Sequence, residues 1–382
     1  MKNTLFLFTT AALIALLLSA CEPSDTPERR SDFAVLAQQV DGFSQAKPGI
    51  DLIFPADHGA HPDYRIEWWY LTANLTDAAG KPYGAQWTLF RVGVEPAPQQ
   101  SLEKPSQNGQ LFMAHMAITT PTDHLSFQRY AHGVANDPSS RAGVTALPFS
   151  AWLDDWSLNS TSTDWLPLEV HAKQGNDAFR LKLKSDLPPI LQGDAGFSQK
   201  HVDGGGSYYY SHPFLKAEGE LTLGGQTIPV SGDAWLDREW GSQFLQQDQV
   251  GWDWFSLHLK NGEKLMLFQL RQTPGANSAG HFIYGNLINK DGTNIRLDPK
   301  QISLTVMSET SINGRSLPMA WQIRLPQINR QMTIEALHTD QWMDVDFPYW
   351  EGVVNISGKG PENSGRGYME LTGYYKDTAT SP

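Results

Sequence analysis

The sequence is poor in the residues that cross-link a fold or attract polyanions. Cys21 is the sole cysteine among 382 residues, so no intrachain disulfide can form, and stability must come from burial and strand pairing. Lys and Arg total 29 against 41 Asp and Glu, which gives a formal charge of −12. Because no basic patch offsets this charge, a nucleic acid or an anionic membrane surface is not expected as a partner.

A serine hydrolase motif is also absent. No Gly-x-Ser-x-Gly occurs in the sequence, and the run 205–209 reads GGSYY, with Tyr209 where the closing glycine should stand. Motifs therefore give no support to a secreted hydrolase, which is kept only as the second alternative function.

What the chain does contain is typical of short strands and turns. It has 13 Trp, 12 Tyr and 17 Phe, and its 33 Gly and 24 Pro interrupt almost every potential helix. The sequence therefore predicts an all-β protein, and closure into barrels would remove exposed strand edges.

The first twenty residues are typical of a targeting segment. Lys2 precedes an apolar run, 5–18, and the small residues Ser19 and Ala20 lead to Cys21. This pattern resembles the lipobox of bacterial lipoproteins, in which the cysteine becomes the lipidated N-terminus. We therefore expect a signal peptide at 1–20, lipidation at Cys21, and a tether with a short helix at 21–48. The protein would face the periplasm from a membrane, with the outer membrane as the expected site.

The remaining chain contains two similar hairpins. Strands are expected at 66–75 and 83–92 around a turn at Gly80, and again at 252–259 and 264–271 around a turn at Asn261-Gly262. This repetition predicts two all-β domains, 49–243 and 244–378, that are related by internal duplication.

Particular residues are expected to correspond between the two halves. We align 69–70 with 254–255, and the run GDAWLD at 232–237 with GRGYME at 365–370. Each half would then begin with an aromatic hairpin and end with a strand that combines an aromatic residue with an acid.

Candidate site residues are concentrated in WLDREWGSQFLQQDQVGWDWF at 235–255. In an extended strand Asp237 and Glu239 share one face, whereas Arg238 lies on the other, so both faces carry charge beside tryptophan. Buried charge is costly unless a partner or a ligand compensates it. Asp237 or Asp253 could serve as an acid among the indoles. The alternative is structural, with Asp237 paired to Arg238, or Glu239 paired to Arg91.

The matching run in the first half is EWWY at 67–70. Glu67 and Trp69 should share one face and Trp68 and Tyr70 the other. A pocket lined by both halves would bring Glu67 close to the second acid cluster. Alternatively, Trp69 and Tyr70 are packing residues that fill the barrel.

Asp57, His58 and His61 could form a metal site, with His115 as a distant further ligand, because two histidines and a carboxylate are suitable metal ligands. The flanking prolines equally indicate a turn whose polar side chains bond to the backbone. We predict neither a metal nor another cofactor.

Several motifs resemble one known family. FPADHGAHPDYRIEWWY, GAQWTLFR, YYYSHPFLKAEGEL, GDAWLDREWGS, GWDWFSLHL and GYMELTGYY are similar to the hydroxyneurosporene synthases, or carotenoid 1,2-hydratases, and to AttH-like proteins, often labelled predicted secreted hydrolases. The resemblance covers about 54–375 and implies two lipocalin-like β-barrels with an apolar ligand pocket at their junction. Where the hydratases carry a suspected catalytic histidine, this chain has Arg238, which cannot donate a proton near neutral pH.

These observations predict an exported lipoprotein that binds an apolar, isoprenoid-like or lipid-like molecule at the domain junction. It would hydrate or rearrange that molecule with acid assistance; the first alternative is a non-catalytic lipid carrier. The oligomeric state stays open. The predicted catalytic residues are Asp237, Glu67 and Asp253. The predicted ligand-binding residues are Trp69, Arg91, His115, Tyr209, Trp235, Arg238, Trp240, Trp252 and Trp254.

Overall fold

A computed structural model describes residues 40–96, 109–135, 137–273 and 280–376. The predicted signal peptide, Cys21 and the predicted short helix near residue 33 lie outside the described residues. Within those ranges the chain forms two large antiparallel sheets, of 13 and 10 strands, and its few helical segments are single 3-10 turns. None of the described helices has the length and apolar character needed to cross a membrane.

The first sheet contains the strands up to residue 241. They are β1 (Ile66–Thr76), β2 (Pro82–Gly93), β3 (Gln110–Thr119), β4 (His124–His132), β5 (Ala142–Ala146), β6 (Phe149–Leu153), β7 (Trp156–Ser160), β8 (Leu168–Gln174), β9 (Asp177–Lys184), β10 (Ile190–Leu191), β11 (Phe197–Gln199), β12 (Gly206–Leu223) and β13 (Gln226–Gly241). Their order is β4-β3-β2-β1-β13-β12-β9-β8-β7-β6-β5, with β10 and β11 also paired to β12. One of the two sheets is nearly barrel-shaped.

The second sheet contains the strands from residue 249 onward. They are β14 (Gln249–Leu259), β15 (Lys264–Gln272), β16 (Phe282–Ile288), β17 (Asn294–Arg296), β18 (Ser303–Ile312), β19 (Arg315–Leu325), β20 (Arg330–Ala336), β21 (Trp342–Met343), β22 (Tyr349–Ser357) and β23 (Gly365–Leu371). Their order is β17-β16-β15-β14-β23-β22-β20-β19-β18, with β21 paired to β22. The 3-10 turns lie at Ala56–His58, Pro299–Gln301, Pro326–Ile328 and Pro361–Asn363.

The two sheets share a strand order. In each, the first strand of the half is flanked by its hairpin partner on one side and by the last strand of the half on the other: β2-β1-β13 and β15-β14-β23. The all-β prediction and both predicted hairpins are therefore confirmed. The sheets meet in sequence between Gly241 and Gln249.

The predicted residue correspondence is correct for one strand pair and wrong for the other. Tyr70 lies opposite Asp237, and Trp254 lies opposite Glu370. Asp237 and Glu370 lie on corresponding strands, because β13 and β23 each pair with the first strand of their own half, which agrees with the alignment of 232–237 with 365–370. Tyr70, rather than Trp69, is the counterpart of Trp254, so the predicted alignment of the hairpins is shifted by one residue. Since strand side chains alternate between faces, this shift exchanges the inner and outer faces.

Each sheet encloses its own apolar core, and a third apolar cluster fills the junction between the sheets. Alternate β1 residues from Trp69 to Leu75 point into the first core, and Phe255, Leu257 and Leu259 of β14 point into the second. Tyr70, Trp235 and Trp254 belong to the junction cluster. The central strands are thus buried on both faces, which explains their nearly continuous burial.

At one point the backbone of β2 in the first sheet lies directly against side chains of the second sheet. A Cβ added to Gly84 of β2 would lie 2.3 Å from the Tyr368 hydroxyl oxygen of β23, so this position requires glycine. Nearby, Arg366 donates hydrogen bonds from its guanidinium to the carbonyl oxygens of Leu75 and Tyr83, at 3.0 and 3.1 Å. The junction is therefore fixed by specific contacts as well as by apolar packing.

Candidate functional site

A cavity of about 310 Å³ lies between the two sheets, and we call it the junction cavity. Both halves contribute to its wall, which is mostly aromatic and aliphatic and carries a few charged groups. The lining residues are Ile66, Trp68, Tyr70, Phe90, Val92, Leu111, Met113, His115, Tyr130, Lys200, Tyr209, Asp237, Glu239, Phe244, Trp252, Trp254, Phe268, Leu270, Phe347, Tyr349 and Glu370.

Strand alternation decides which side chains reach this cavity. On β1, Ile66, Trp68 and Tyr70 face the cavity, whereas Glu67 and Trp69 face the interior of the first sheet. The cavity thus occupies the outer face of the first sheet at its contact with the second, and the barrel interior is filled by packed side chains.

Asp237 is the acid that the cavity wall holds most completely by hydrogen bonds. Its carboxyl oxygens accept from the Tyr209 hydroxyl at 2.6 Å, the Ser211 hydroxyl at 2.5 Å and the Trp235 indole N–H at 2.6 Å. Burial raises the pKa of Asp237 to about 7, although these bonds favour the carboxylate. Asp237 can therefore exchange a proton near neutral pH inside an apolar cavity.

A second acid, Glu370, reaches the cavity from the other half. It occupies the β23 position that corresponds to Asp237 on β13, and its Oε1 accepts a 3.1 Å hydrogen bond from the Trp252 indole N–H. Burial and the neighbouring Glu351 carboxyl raise the pKa of Glu370 well above its ordinary value. The sequence-based site omits Glu370, but the alignment of GRGYME with GDAWLD already carries the signal that identifies it.

Glu351 lies directly behind this second acid. It pairs with Glu370 across β22 and β23, and its Oε1 accepts a 2.6 Å hydrogen bond from the Tyr70 hydroxyl of the first sheet. Burial raises the pKa of Glu351 to about 8. Glu370 in the second-half wall is therefore backed by a second carboxyl group, and burial holds each of the two toward its neutral form.

A buried ion pair forms another part of the wall. The Lys200 ammonium lies 2.7 Å from Glu239 Oε1, and both side chains are less than a tenth exposed. The same ammonium lies 4.6 Å from the centroid of the Phe268 ring. Neither Lys200 nor Glu239 was predicted as a site residue. Glu239 pairs with Lys200 rather than with Arg91, contrary to the structural alternative weighed above.

His115 lines the cavity on β3. Its Nδ1 lies 3.0 Å from the Tyr349 hydroxyl oxygen, whereas its buried Nε2 has no hydrogen-bond partner among the described residues. Burial lowers the pKa of His115 to about 3, so the ring is neutral at physiological pH.

Glu67 is not a cavity residue, which corrects the prediction that it could act as a proton donor there. It faces the interior of the first sheet and pairs with both Arg91 and Arg238; the Arg238 contact is 2.5 Å. Burial opposes its ionisation, but Arg91 and Arg238 outweigh that effect and hold the pKa of Glu67 well below its usual range. Glu67 is therefore an ionised structural acid.

Arg91 and Arg238 are not cavity residues either, so the prediction that they bind ligand is wrong. The predicted alternative ion pair between Asp237 and Arg238 is wrong as well, because Arg238 pairs with Glu67. Both guanidinium groups are fully buried on the inner face and compensate Glu67. The Cζ of Arg238 lies 3.7 Å from the centroid of the Trp69 ring. The site sequence DREWG thus places its arginine away from the cavity because adjacent strand residues face opposite sides.

Three predicted tryptophans also lie outside the cavity wall. Trp69 donates a 2.9 Å hydrogen bond from its indole N–H to the His58 carbonyl oxygen, and Trp240 stacks on His61 with 4.0 Å between ring centroids. Both belong to the inner face, so the packing interpretation of Trp69 is correct. Trp235 lies in the junction cluster and supports Asp237 through the hydrogen bond described above.

Asp253, the remaining predicted acid, is also an inner-face residue. Its Oδ1 pairs with Arg271 and accepts a 2.8 Å hydrogen bond from the Tyr374 hydroxyl, and its Oδ2 accepts one from the Gln269 side chain at 2.7 Å. These partners satisfy both carboxyl oxygens. Asp253 is therefore part of the second sheet's structural network, where it has no access to the cavity.

The histidines of the possible metal motif have structural partners instead. His58 Nδ1 lies 2.6 Å from the Tyr210 hydroxyl oxygen, and its ring stacks on Trp165 at 3.6 Å. His61 Nε2 lies 3.1 Å from Asp57 Oδ1. Within the described ranges, no group of three or more His, Cys, Asp and Glu side chains could hold a metal ion.

The structure thus brings five predicted residues together at the junction cavity: Asp237, His115, Tyr209, Trp252 and Trp254. Trp254 links two of them, because its indole N–H donates a 3.3 Å hydrogen bond to the Tyr209 hydroxyl, which in turn donates to Asp237. This relay crosses the junction from the second sheet to the first.

Two antiparallel sheets with a shared strand order define a lipocalin-like β protein whose cavity lies between the halves. The AttH-like family model matches residues 45–374, and the chain belongs to this family. The crystal structure of an AttH-type protein from Nitrosomonas europaea shares 33% identity with the chain. It covers 87% of this chain and 100% of its own, with a TM-score of 0.74.

More distant structures share the fold alone. Kievitone hydratase from Nectria haematococca is 14% identical, covers 88% of this chain and 98% of its own, and has a TM-score of 0.63. CghA in complex with Sch210972 is 12% identical, covers 89% and 98%, and has a TM-score of 0.54. No curated protein matches the chain in sequence.

Proposed function

We propose that the protein binds an apolar, unsaturated molecule in the junction cavity and catalyses the addition of water to it, with Asp237 as the proton donor. One observation carries this proposal: a carboxyl group that three hydrogen bonds hold in position lies in the wall of a largely aromatic cavity. Burial raises its pKa to about 7, so a substantial fraction is protonated at neutral pH.

The chemistry needs only groups that the cavity provides, together with water. The Asp237 carboxyl transfers its proton to one carbon of a C=C bond, and the aromatic rings stabilise the positive charge that forms on the other carbon. A water molecule bonds to that carbon and loses a proton to the Asp237 carboxylate, which returns the acid to its starting protonated form. The net reaction adds one water molecule to one double bond.

The structural comparisons support a hydration reaction only through the shared fold. One neighbour is named as a hydratase, and a lipocalin-like fold can enclose a small apolar molecule. Arg238 does not stand against this proposal, because it lies on the inner face and takes no part in the cavity. The acid comes from the preceding residue, Asp237.

A non-catalytic lipid carrier is the second candidate, because the same wall would hold a ligand without changing it. We expect the full-length protein to co-purify with an apolar molecule that mass spectrometry of an organic extract identifies. Wild type should carry this molecule partly as its water adduct, and Asp237→Asn should carry the unhydrated form. The control, Glu335→Gln, changes an exposed carboxyl on β20 and should match wild type.

The outcomes separate the two candidates. If wild type and Asp237→Asn carry the same molecule in the same form, the protein is a carrier. If neither contains an apolar molecule, the junction cavity is not a ligand site and both candidates fail.

We also propose that the protein is an exported lipoprotein attached to the cell envelope through Cys21. The apolar run 5–18 and the small residues before the sole cysteine support this location. Metabolic labelling with a fatty acid should label wild type and leave Cys21→Ser unlabelled; equal labelling of both would contradict the proposal.

A further inference from the structure

We propose that the junction cavity recognises positive charge on an apolar molecule and rejects anionic lipids such as fatty acids. The inference rests on the proposed function, because it concerns the same cavity. It adds the charge of the ligand, which a hydration reaction by itself does not determine. The favoured chemistry is a bulky cationic centre without N–H donors, attached to an apolar body.

The charged groups of the wall carry the first step. Three lining residues are acids, Asp237, Glu239 and Glu370, and the wall contains one lysine and no arginine among its described residues. The lysine, Lys200, is already paired with Glu239 at 2.7 Å. An anion that entered this cavity would find no unpaired cation to offset the cost of its desolvation, and it would disfavour the ionised forms of the two remaining acids.

The aromatic wall carries the second step. Trp68, Trp252 and Trp254 lie among the lining side chains together with several Tyr and Phe residues, and aromatic faces attract cations. The protein already uses this attraction at the site, because the Lys200 ammonium lies 4.6 Å from the Phe268 ring centroid and 5.3 Å from that of Tyr209. A ligand cation would meet the same kind of surface.

The two acids without a lysine partner come from equivalent positions of the two halves. Asp237 on β13 and Glu370 on β23 both reach the cavity, and each accepts a hydrogen bond from an indole N–H. In the empty cavity burial favours their neutral forms, but a bound cation would stabilise either carboxylate. The pair can therefore balance a ligand charge without holding a permanent excess of negative charge.

His115 supplies an unpartnered polar atom in the cavity wall. It is fully buried in the cavity wall, and its Nε2 has no partner among the described residues, which is an uncommon condition for a buried polar atom. Because the ring is neutral, it does not repel a cation, and Nε2 can form a hydrogen bond with a hydroxyl on the ligand or with a water that accompanies it, as acceptor or donor according to the ring tautomer.

The same preference would assist the proposed reaction, because protonation of a double bond creates a carbocation in the place where a cationic ligand would lie. A stable ammonium probe therefore tests the wall without knowledge of the natural substrate. It also separates the inference from the proposed function, since a neutral probe of equal length reports cavity binding alone.

The experiment measures the binding of three probes to the full-length protein at pH 8 and low salt: decyltrimethylammonium and decanoate, each below its micelle concentration, and decanol below its solubility limit. Binding is measured by tryptophan fluorescence and calorimetry. We expect the ammonium to bind at least about tenfold more tightly than the alcohol, and decanoate to show no saturable binding. In Asp237→Asn/Glu370→Gln, the ratio of ammonium affinity to decanol affinity should fall to about one.

Glu335→Gln is the control variant, because it removes an exposed carboxyl and should keep the preference for the ammonium. Melting curves establish that each variant is folded. The single variants Asp237→Asn and Glu370→Gln should each lose part of the preference. Equal binding of the ammonium and decanol, or tighter binding of decanoate, would overturn the inference and leave cavity binding intact. Absence of binding by all three probes would overturn both the inference and the proposed function.

Discussion

The Tyr70 hydroxyl of the first sheet donates a 2.6 Å hydrogen bond to Glu351 of the second, and both side chains are buried. This bond joins residues 281 positions apart in the sequence and lies beside the junction cavity. It ties β1, whose Trp68 and Tyr70 face the cavity, to the carboxyl group that lies behind Glu370 in the opposite wall.

Replacing Tyr70 by Phe should destabilise the protein without changing its shape. The variant removes one donor from a buried carboxyl, and we expect the free energy of unfolding to fall by about 1–3 kcal/mol. Urea denaturation measures this loss. Tyr83→Phe is the control, because the Tyr83 hydroxyl has only a 3.4 Å contact with Asp77 at a turn, and its loss should cost less than about 0.5 kcal/mol. Equal losses in the two variants would contradict a specific role for the junction bond.

The pKa of Asp237 predicts a pH dependence of stability. Its folded-state pKa, about 7, exceeds the ordinary value of 3.8, so the folded protein binds more protons between these values. The free energy of unfolding should therefore fall as pH rises from about 4 to about 7, and Asp237 contributes a slope approaching about 1.4 kcal/mol per pH unit.

Asp237→Asn should remove that contribution, and urea denaturation across this pH window measures the difference. Glu351, whose pKa is also raised, still contributes a fall in the variant. If the stability difference between wild type and Asp237→Asn is constant from pH 4 to pH 7, the Asp237 carboxyl is not held in its neutral form by the fold.

Glu67→Gln should be strongly destabilising although Glu67 is outside the cavity. The substitution leaves Arg91 and Arg238 buried without their anion, and we expect a loss of about 3–5 kcal/mol in the free energy of unfolding. Glu169→Gln is the control, since its 2.6 Å pair with Arg180 is exposed and should contribute less than about 1 kcal/mol. A Glu67→Gln variant of wild-type stability would show that the two guanidinium groups do not need this acid.

Met113→Trp should reduce ligand binding by filling the junction cavity without changing its charge. Met113 lines the cavity on β3, and we expect the affinity for decanol to fall by at least about tenfold. Fluorescence of added tryptophan complicates the titration, so calorimetry is the measurement. Met307→Trp places the same side chain on β18 at a position that is 57% exposed, and it should bind decanol as wild type does. Unchanged binding by Met113→Trp would place the ligand elsewhere.

The fold could be predicted from sequence because it depends on local patterns. Aromatic strands, Gly-containing turns and the repeated hairpin can all be recognised from neighbouring residues. The observed strands 66–76 and 82–93 differ from the predicted 66–75 and 83–92 by one residue at three of their four ends. The site was harder, because the central strands are buried on both faces. Alternation separated Glu67 from Trp68, but no pattern in the sequence told which face belongs to a packed core and which to a cavity.

The same ambiguity explains the errors around Asp237. Its neighbour Arg238 was predicted to bind ligand because both residues lie between Trp235 and Trp240, yet the strand directs them to opposite sides. Lys200 could not be predicted, since it directly follows the short strand β11 and approaches Glu239 through the pairing of β11 with β12 and of β12 with β13. Glu370 could have been found, because the aligned halves place it at the position of Asp237.

The cavity wall shares no residue with either of the two sheet cores among the residues that the structure describes. Substitutions that widen, narrow or recharge this space therefore need not disturb the packing on which folding of each half depends. Such a separation would let related proteins diverge in the ligand that they accommodate while they keep one scaffold.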